Sequence, residues 1–245
     1  MKIAVLGGTG TVGSQVVRVL RTTEHEVVPH SRSTGLDLLD GKGLPDALAG
    51  VDVVVNVTDA PSSDEASLEF FRTTMNTLLA SAASSGVGHA VILSIIGVDL
   101  VPDHVYYRAK VLQEYILKAG PVPYSIVRAS QFFEFMDTVM SWTSDNETVR
   151  LPPTLVQPIA AADVGEAVAR VCTDTPLQGI RNIAGPEVFA LDELGRITLA
   201  ARKDNRQVVT DPTAGIYAMV PGDALIAKSD AIIAQTTYRD WLAHN

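Results

Sequence analysis

The 245-residue sequence predicts an α/β fold, a doubly wound parallel sheet with a small C-terminal substrate-covering lobe. Three observations predict it. Short apolar runs alternate with helical periodicity through the first 130 residues, and such alternation places parallel strands between layers of helices. The first run, Ile3-Ala4-Val5-Leu6, leads directly into the glycine-rich stretch GGTGTVG and then into an amphipathic segment. Hydrophobic residues make up 47% of the chain, enough to build a sizeable core.

The elements follow in order. Residues 3–6 are apolar on both faces, as a buried parallel strand must be. Residues 11–20 form a helix with Val12, Val16, Val19 and Leu20 on one side. Residues 26–29 are a second strand, 41–49 hold a short helix at most, and 51–57 are a third strand. Small and apolar residues from 64 to 84 make a long helix ended by Gly86 and Gly88. Residues 90–94 are the fourth strand, 105–118 a helix stopped by Gly120-Pro121, and 124–127 the fifth strand. The rhythm changes after Arg128. Phe132, Phe133, Phe135, Met136, Val139, Met140 and Trp142 crowd one helical stretch, and Pro152-Pro153 break the chain. Asp163 reads as the N-cap of a helix bearing Val164, Ala167, Val168 and Val171. Residues 180–184 read as a strand, 191–202 as a helix, and 215–245 show no clear period. No flexible linker divides the chain. The expectation is one domain over 1–245, its core mainly 1–130 plus 160–185, with 131–159 and 186–245 as covering segments.

Charge and cysteine content narrow the function classes. The net charge is −9 with no basic stripe, which argues against nucleic acid and anionic membranes as partners. The single cysteine, Cys172, lies in an apolar helical stretch and reads as a buried small hydrophobe. The five histidines form no metal-ligand spacing, so no metal is expected. No apolar run reaches membrane-spanning length, and the expectation is a cytoplasmic protein acting on a small molecule. The sequence carries no signal for an oligomeric state.

The glycine stretch holds two overlapping patterns. Gly8, Gly10 and Gly13 spell G-x-G-x-x-G, and Gly7, Gly10 and Gly13 spell G-x-x-G-x-x-G. A strand, then glycines, then a helix is the setting of a dinucleotide cradle. Glycine permits positive φ and close approach to a pyrophosphate, and the helix N-terminus offers free N–H groups. Thr9 and Thr11 add hydroxyl donors beside Val12. The second strand ends in His30-Ser31-Arg32-Ser33, with no carboxylate for a ribose 2′-OH. Arg32 can fork onto a 2′-phosphate and Ser31 can donate to it, so the expected cofactor is NADP(H). Asp37, next to Leu38, can accept from the adenine amino group or serve only as a turn carboxylate. Val57, Thr58 and Asp59 end the third strand, where their backbone should border the cofactor.

Ser94 ends the fourth strand, and twelve residues on begins YYRAK. Tyr106 and Lys110 are i and i+4 and share a helix face. A nearby ammonium lowers a phenol's pKa from about 10, and a phenol so tuned can protonate a carbonyl oxygen as hydride arrives. Lys110 can also hold the nicotinamide ribose, and Ser94 can orient the same carbonyl. The plainer alternative makes Tyr106 and Tyr107 core aromatics beside a surface lysine.

With these residues in view, the sequence resembles the short-chain dehydrogenase/reductase superfamily, and more narrowly its atypical NmrA-like NAD(P)H-binding branch, a Rossmann fold. The resembling stretches are GGTGTVG, residues 52–59, Asn76 in MNTLLASAASSGV, LSIIGVD, YYRAK, VRASQFFEF and QPIAAADVGEAV. The resemblance implies Gly7, Gly10 and Gly13 as the working register, with Gly8 as an extra permissive residue. It implies Ser94, Tyr106 and Lys110 as the catalytic set and Asn76 as a family asparagine. Ala129 and Ser130 match the segment beside the nicotinamide, and Gln131, Phe132 and Phe133 the edge of a substrate pocket. Many NmrA-like members lack the tyrosine–lysine pair and act as sensors. Its presence here implies an NADP(H)-dependent reductase of a carbonyl or quinone, with an apolar or aromatic substrate. The alternatives are a non-catalytic NADP(H) sensor acting through protein partners and a sugar-nucleotide epimerase or dehydratase.

Overall fold

The structure, a computed structural model, describes residues 1–245. Its frame is a seven-stranded, wholly parallel sheet. The strands are β1 (Lys2–Leu6), β2 (Glu26–His30), β3 (Val53–Asn56), β4 (His89–Ile95), β5 (Tyr124–Ala129), β8 (Gly179–Ala184) and β11 (Ile232–Ile233). Their order is β11-β8-β5-β4-β3-β1-β2. The chain runs outward from β1 to β2, then returns across β1 to β3 and continues the other way. The order therefore reverses at β1 and β3, and a crevice opens beyond their C-terminal ends.

Strand alternation assigns the two faces. Ile3, Val5, Val53, Val55, Val91 and Val127 point to one side, where α1 (Thr11–Leu20) and α6 (Ala161–Thr173) cover them. Ala4, Leu6, Val54, Ala90, Ile92 and Ile126 point to the other. There α2 (Leu44–Leu48), α3 (Ala66–Ser84) and α4 (Val105–Ala119) complete the layer. α1 and α6 approach closely because Gly165 has no side chain, since a Cβ there would lie 2.5 Å from the Gln15 Cβ.

The rest of the chain builds a third core at the C-terminal edge of the sheet. It includes α5 (Met136–Ser141), β6 (Thr148–Leu151), β7 (Leu155–Val156), β9 (Phe189–Ala190), α7 (Leu191–Arg202), β10 (Gln207–Thr210) and α8 (Tyr238–His244). β6 pairs parallel with β10, and β7 pairs antiparallel with β9. The stretch with no readable period thus supplies the edge strand β11 and the helix α8. Tyr238 is fully buried there, its hydroxyl 2.7 Å from that of Thr198. Phe133 packs against the rings of Tyr238 (4.9 Å) and Trp241 (5.7 Å).

Asp163 is not the N-cap of α6. The helix begins at Ala161 after Ala160, and both oxygens of Glu134 accept the Ala161 N–H at 3.1 Å. Asp163 lies in the first turn and accepts from the Thr236 hydroxyl. A cap supplied 27 residues away leaves no local sequence signature.

An ion pair fastens α4 to the sheet. Arg128 on β5 forks onto Glu114, with Nε and Nη2 each 2.8 Å from a carboxylate oxygen. The Glu114 side chain is 2% exposed. Ser94 donates to it at 2.6 Å, Lys118 lies at 3.2 Å, and Arg128 also reaches Asp99 at 3.0 Å. Burial alone would raise the Glu114 pKa. The hydrogen bonds from Arg128 and Ser94 and the charges of Arg128 and Lys118 overcome this and hold it below the usual carboxylate range. The stabilisation is complete at neutral pH and is lost as pH falls from the ordinary carboxylate value of about 4 through the lower value of folded Glu114. Arg128→Met, which strands the buried carboxylate, should cost about 3–5 kcal/mol in denaturant unfolding at pH 7. Glu114→Gln should flatten the acid limb of the stability profile relative to the wild type.

Candidate active site

The glycine turn is shaped by its own backbone. Gly7 has φ +80°, and its N–H and that of Gly8 both donate to the His30 carbonyl at the end of β2. A Cβ on Gly13 would sit 2.1 Å from the Gly7 oxygen. A Cβ on Gly8 would sit 2.7 Å from the Pro29 Cβ, so Gly8 is sterically required and is not merely permissive. A Cβ on Gly10 would meet only the Gly7 oxygen, at 3.3 Å, and otherwise faces open space. Gly10 caps α1 without a side-chain hydrogen bond, and the N–H groups of Thr11, Val12 and Gly13 find no acceptor in the chain. Open N–H groups at a positive helix end form a phosphate cradle. Thr9 and Thr11 are exposed beside it, whereas the Val12 side chain turns into the core.

The end of β3 abuts this turn, since a Cβ on Gly7 would lie 3.1 Å from Val57 and Thr58 backbone atoms. Thr58 is held by Asn56 Oδ1, which accepts from its N–H and hydroxyl. At the end of β2, Arg32 is exposed and unpaired, and the Ser31 and Ser33 hydroxyls are 2.8 Å apart. Asp37 accepts the Leu39 N–H at 2.9 Å and closes its own turn, while the Leu38 side chain is buried in the core. Ala129, the last residue of β5, is buried, and just beyond it the Ser130 hydroxyl and both amide atoms of Gln131 are buried without a partner. The open cradle, the free Arg32 and these orphaned polar atoms fit a dinucleotide laid across the crevice.

α4 carries Tyr106 to the same place. Its hydroxyl donates to Asp59 Oδ1 at 2.5 Å, joining the helix to the end of β3. One turn on, Lys110 is only 5% exposed. Its Nζ donates to the Leu93 carbonyl at 2.8 Å and to Gln113 Oε1 at 2.5 Å, and it lies 4.8 Å from the Phe71 ring centre. Lys110 is therefore no surface lysine. Burial pulls its pKa down to about 8, against the charges of Asp59 and Glu114. The Tyr106 phenol is pushed well above its ordinary value, first by burial and then by the charge and hydrogen bond of Asp59. This reverses the expectation of a phenol lowered by Lys110, because burial and then the neighbouring Asp59 charge both favour the neutral phenol.

Ser94 is not brought to Tyr106. It shares the face of Ala90 and Ile92, and its hydroxyl is spent on Glu114. Glu114 lies eight residues along α4 from Tyr106, about 12 Å of helix rise. Ile95, next in β4, packs against the same apolar cluster as Tyr106. Asn76 is exposed on α3 and bonds to no other side chain. Phe132 and Gln131 line a narrow apolar void with Phe133, Phe135, Met136 and Tyr217, enclosing about 20 Å³. Sequence reasoning missed the partners of the pair. Gln113 and Glu114 lie three and four residues past Lys110, a spacing that could have shown them on its face. His104, 5% exposed with both ring nitrogens unpartnered, packs with its ring centre 4.7 Å from that of Tyr107 and carried no signal of its own. No cluster of three or more potential ligands could hold a metal, and no helix is long and apolar enough to cross a membrane.

Solved structures share the fold. An NADPH-dependent quinone oxidoreductase from Escherichia coli, in complex with NADPH, superposes with a TM-score of 0.74 at 17% identity, covering 99% of each chain. A dTDP-glucose 4,6-dehydratase from Streptomyces venezuelae with NAD bound gives 0.70 at 20% identity, covering 86% of this chain and 85% of that one. A UDP-N-acetylglucosamine 4-epimerase from Bacillus cereus gives 0.71 at 18% identity and 88% of each. No curated protein matches the sequence. The family of NAD(P)H-binding proteins matches residues 7–175, more than two-thirds of the length, and the chain belongs to that family.

Proposed function

We propose that the protein is an NADP(H)-dependent reductase of the short-chain type, acting on a carbonyl or quinone. One observation carries this reading. Tyr106 places a protonated phenol at the C-terminal end of β3, beside the glycine cradle, on the helix that also buries Lys110. When bound, the reduced nicotinamide would supply the hydride. The α1 N-terminus would hold its pyrophosphate, Arg32 and Ser31 its 2′-phosphate, and Ser130 its nicotinamide end.

The remaining chemistry belongs to the chain. Tyr106 donates its proton to the substrate oxygen as negative charge builds there. Lys110, charged below about pH 8, stabilises that charge and is placed one turn from the tyrosine. Gln131, Phe132 and Phe133 face an apolar or aromatic substrate, and the apolar lining excludes water. The diversion of Ser94 to Glu114 leaves the carbonyl without a serine donor and favours a second reading, a non-catalytic NADP(H) sensor.

Tyr106→Phe separates the two. It should lower turnover with a panel of quinones and aromatic ketones by about 100-fold or more, with NADPH affinity unchanged. NADPH binding by the wild type without oxidation across that panel would establish the sensor instead. Cofactor choice has its own test. Arg32→Ala should weaken NADPH binding by about 10- to 100-fold while leaving NADH nearly unaffected, and an unchanged preference would remove Arg32 from the site.

A further inference from the structure

We propose that Asp59 recharges Tyr106, passing a solvent proton to its phenolate oxygen after each reduction. The inference rests on the reductase reading and adds a catalytic group to it. A tyrosine that gives up its proton must regain one before the next turnover, and the structure shows where a route exists. Asp59 is the only side chain hydrogen-bonded to the Tyr106 hydroxyl, and it is exposed at the end of β3. Its carboxylate touches the reacting oxygen on one side and water on the other.

The neighbouring candidates lack such a path. Lys110 is buried, with its ammonium committed to the Leu93 carbonyl, Gln113 and the Phe71 ring. Ser94 faces Glu114. His104 is buried with both ring nitrogens unpartnered and bonds neither tyrosine. A relay through Asp59 is one residue long.

The step balances. The carbonyl carbon takes a hydride from a reduced nicotinamide, and the C=O π pair moves onto oxygen, which takes the Tyr106 proton. The Tyr106 O–H bond breaks and leaves a phenolate. The Asp59 carboxylate takes a proton from solvent and becomes a carboxyl; that O–H bond then breaks, its proton restores the phenol, and Asp59 returns to the carboxylate that accepts from Tyr106. The net consumption is one hydride and one solvent proton per alcohol formed. Proton transfer from a carboxyl group to a phenolate is downhill on ordinary values, about 4 against about 10.

Asp59→Asn isolates the proton function. An asparagine keeps an oxygen to accept from Tyr106 and from the Ala60 N–H, which Asp59 holds at 2.8 Å, but carries no exchangeable carboxyl proton. Turnover should fall about tenfold or more with the KM for NADPH within about twofold, and the solvent isotope effect on kcat should rise. Acetate or formate should restore turnover to Asp59→Ala. In the absence of cofactor, the ultraviolet signature of tyrosinate should appear at lower pH in Asp59→Asn than in the wild type. Full turnover in Asp59→Asn would overturn the proposal. So would a loss that appears as raised KM without rescue by acetate, or a tyrosinate signature that does not move. A wild type that oxidises no NADPH would overturn the reductase reading and the relay together, whereas an active wild type with an indifferent Asp59→Asn would overturn the relay alone.

Discussion

The site depends on the buried pair between Glu114 and Arg128. α4 has to present Tyr106 to the crevice with a defined rotation and height, and apolar contacts such as that of Leu117 define neither tightly. The fork of Arg128 onto Glu114 does, because two parallel hydrogen bonds fix angle as well as distance. Ser94 and Asp99 extend the same network to β4 and to the segment that leads into α4. A buried pair of this kind is weak evidence for added stability, since desolvation offsets most of its attraction. Its value here lies in registration. Tyr106, Lys110 and Glu114 are spaced by four, so a helix locked at its third turn is also locked at its first.

Burial then sets the chemistry along that face. Lys110 gains hydrogen bonds and a ring face but loses water, and its charge becomes conditional near pH 8. Tyr106 sits under the influence of Asp59 and keeps its proton. A phenol held this way is a poor base and remains charged with its proton until a stronger acceptor forms beside it, as an alkoxide does during hydride transfer. On the proposed reading, the arrangement suits reduction better than the reverse reaction.

Much of this was legible in the sequence because the physics is local. The apolar run before GGTGTVG, the 3.6-residue period after it and the four-residue spacing of Tyr106 and Lys110 each act through neighbours along the chain. The losses came where a distant partner decides. Ser94 looked free because its competitor, Glu114, lies 20 residues away; the parity of β4 turns it toward α4, and only the Arg128–Glu114 pair decides which turn of that helix it meets. Leu38 and Phe133 are buried in cores whose other members come from distant segments, Leu38 beside α2 and Phe133 beside the last helix, and Phe133 also lines the apolar void next to Gln131 and Phe132. Asp163 matched the chemistry of a cap, yet Glu134 had already supplied one from outside the helix. Gly8 was undervalued because its constraint comes from Pro29 on another strand.

That external cap has a consequence for how a ligand can orient. α1 and α6 lie side by side on one face of the sheet, and a bare helix end of either kind would attract a phosphate. The carboxylate of Glu134 already neutralises the end of α6, whereas the end of α1 stays bare. The pair therefore behaves as one live socket beside one that is permanently plugged. Of these two neighbouring helices only α1 offers a dianionic group an attractive pole, and the choice between them is decided before any contact with a base or ring is made.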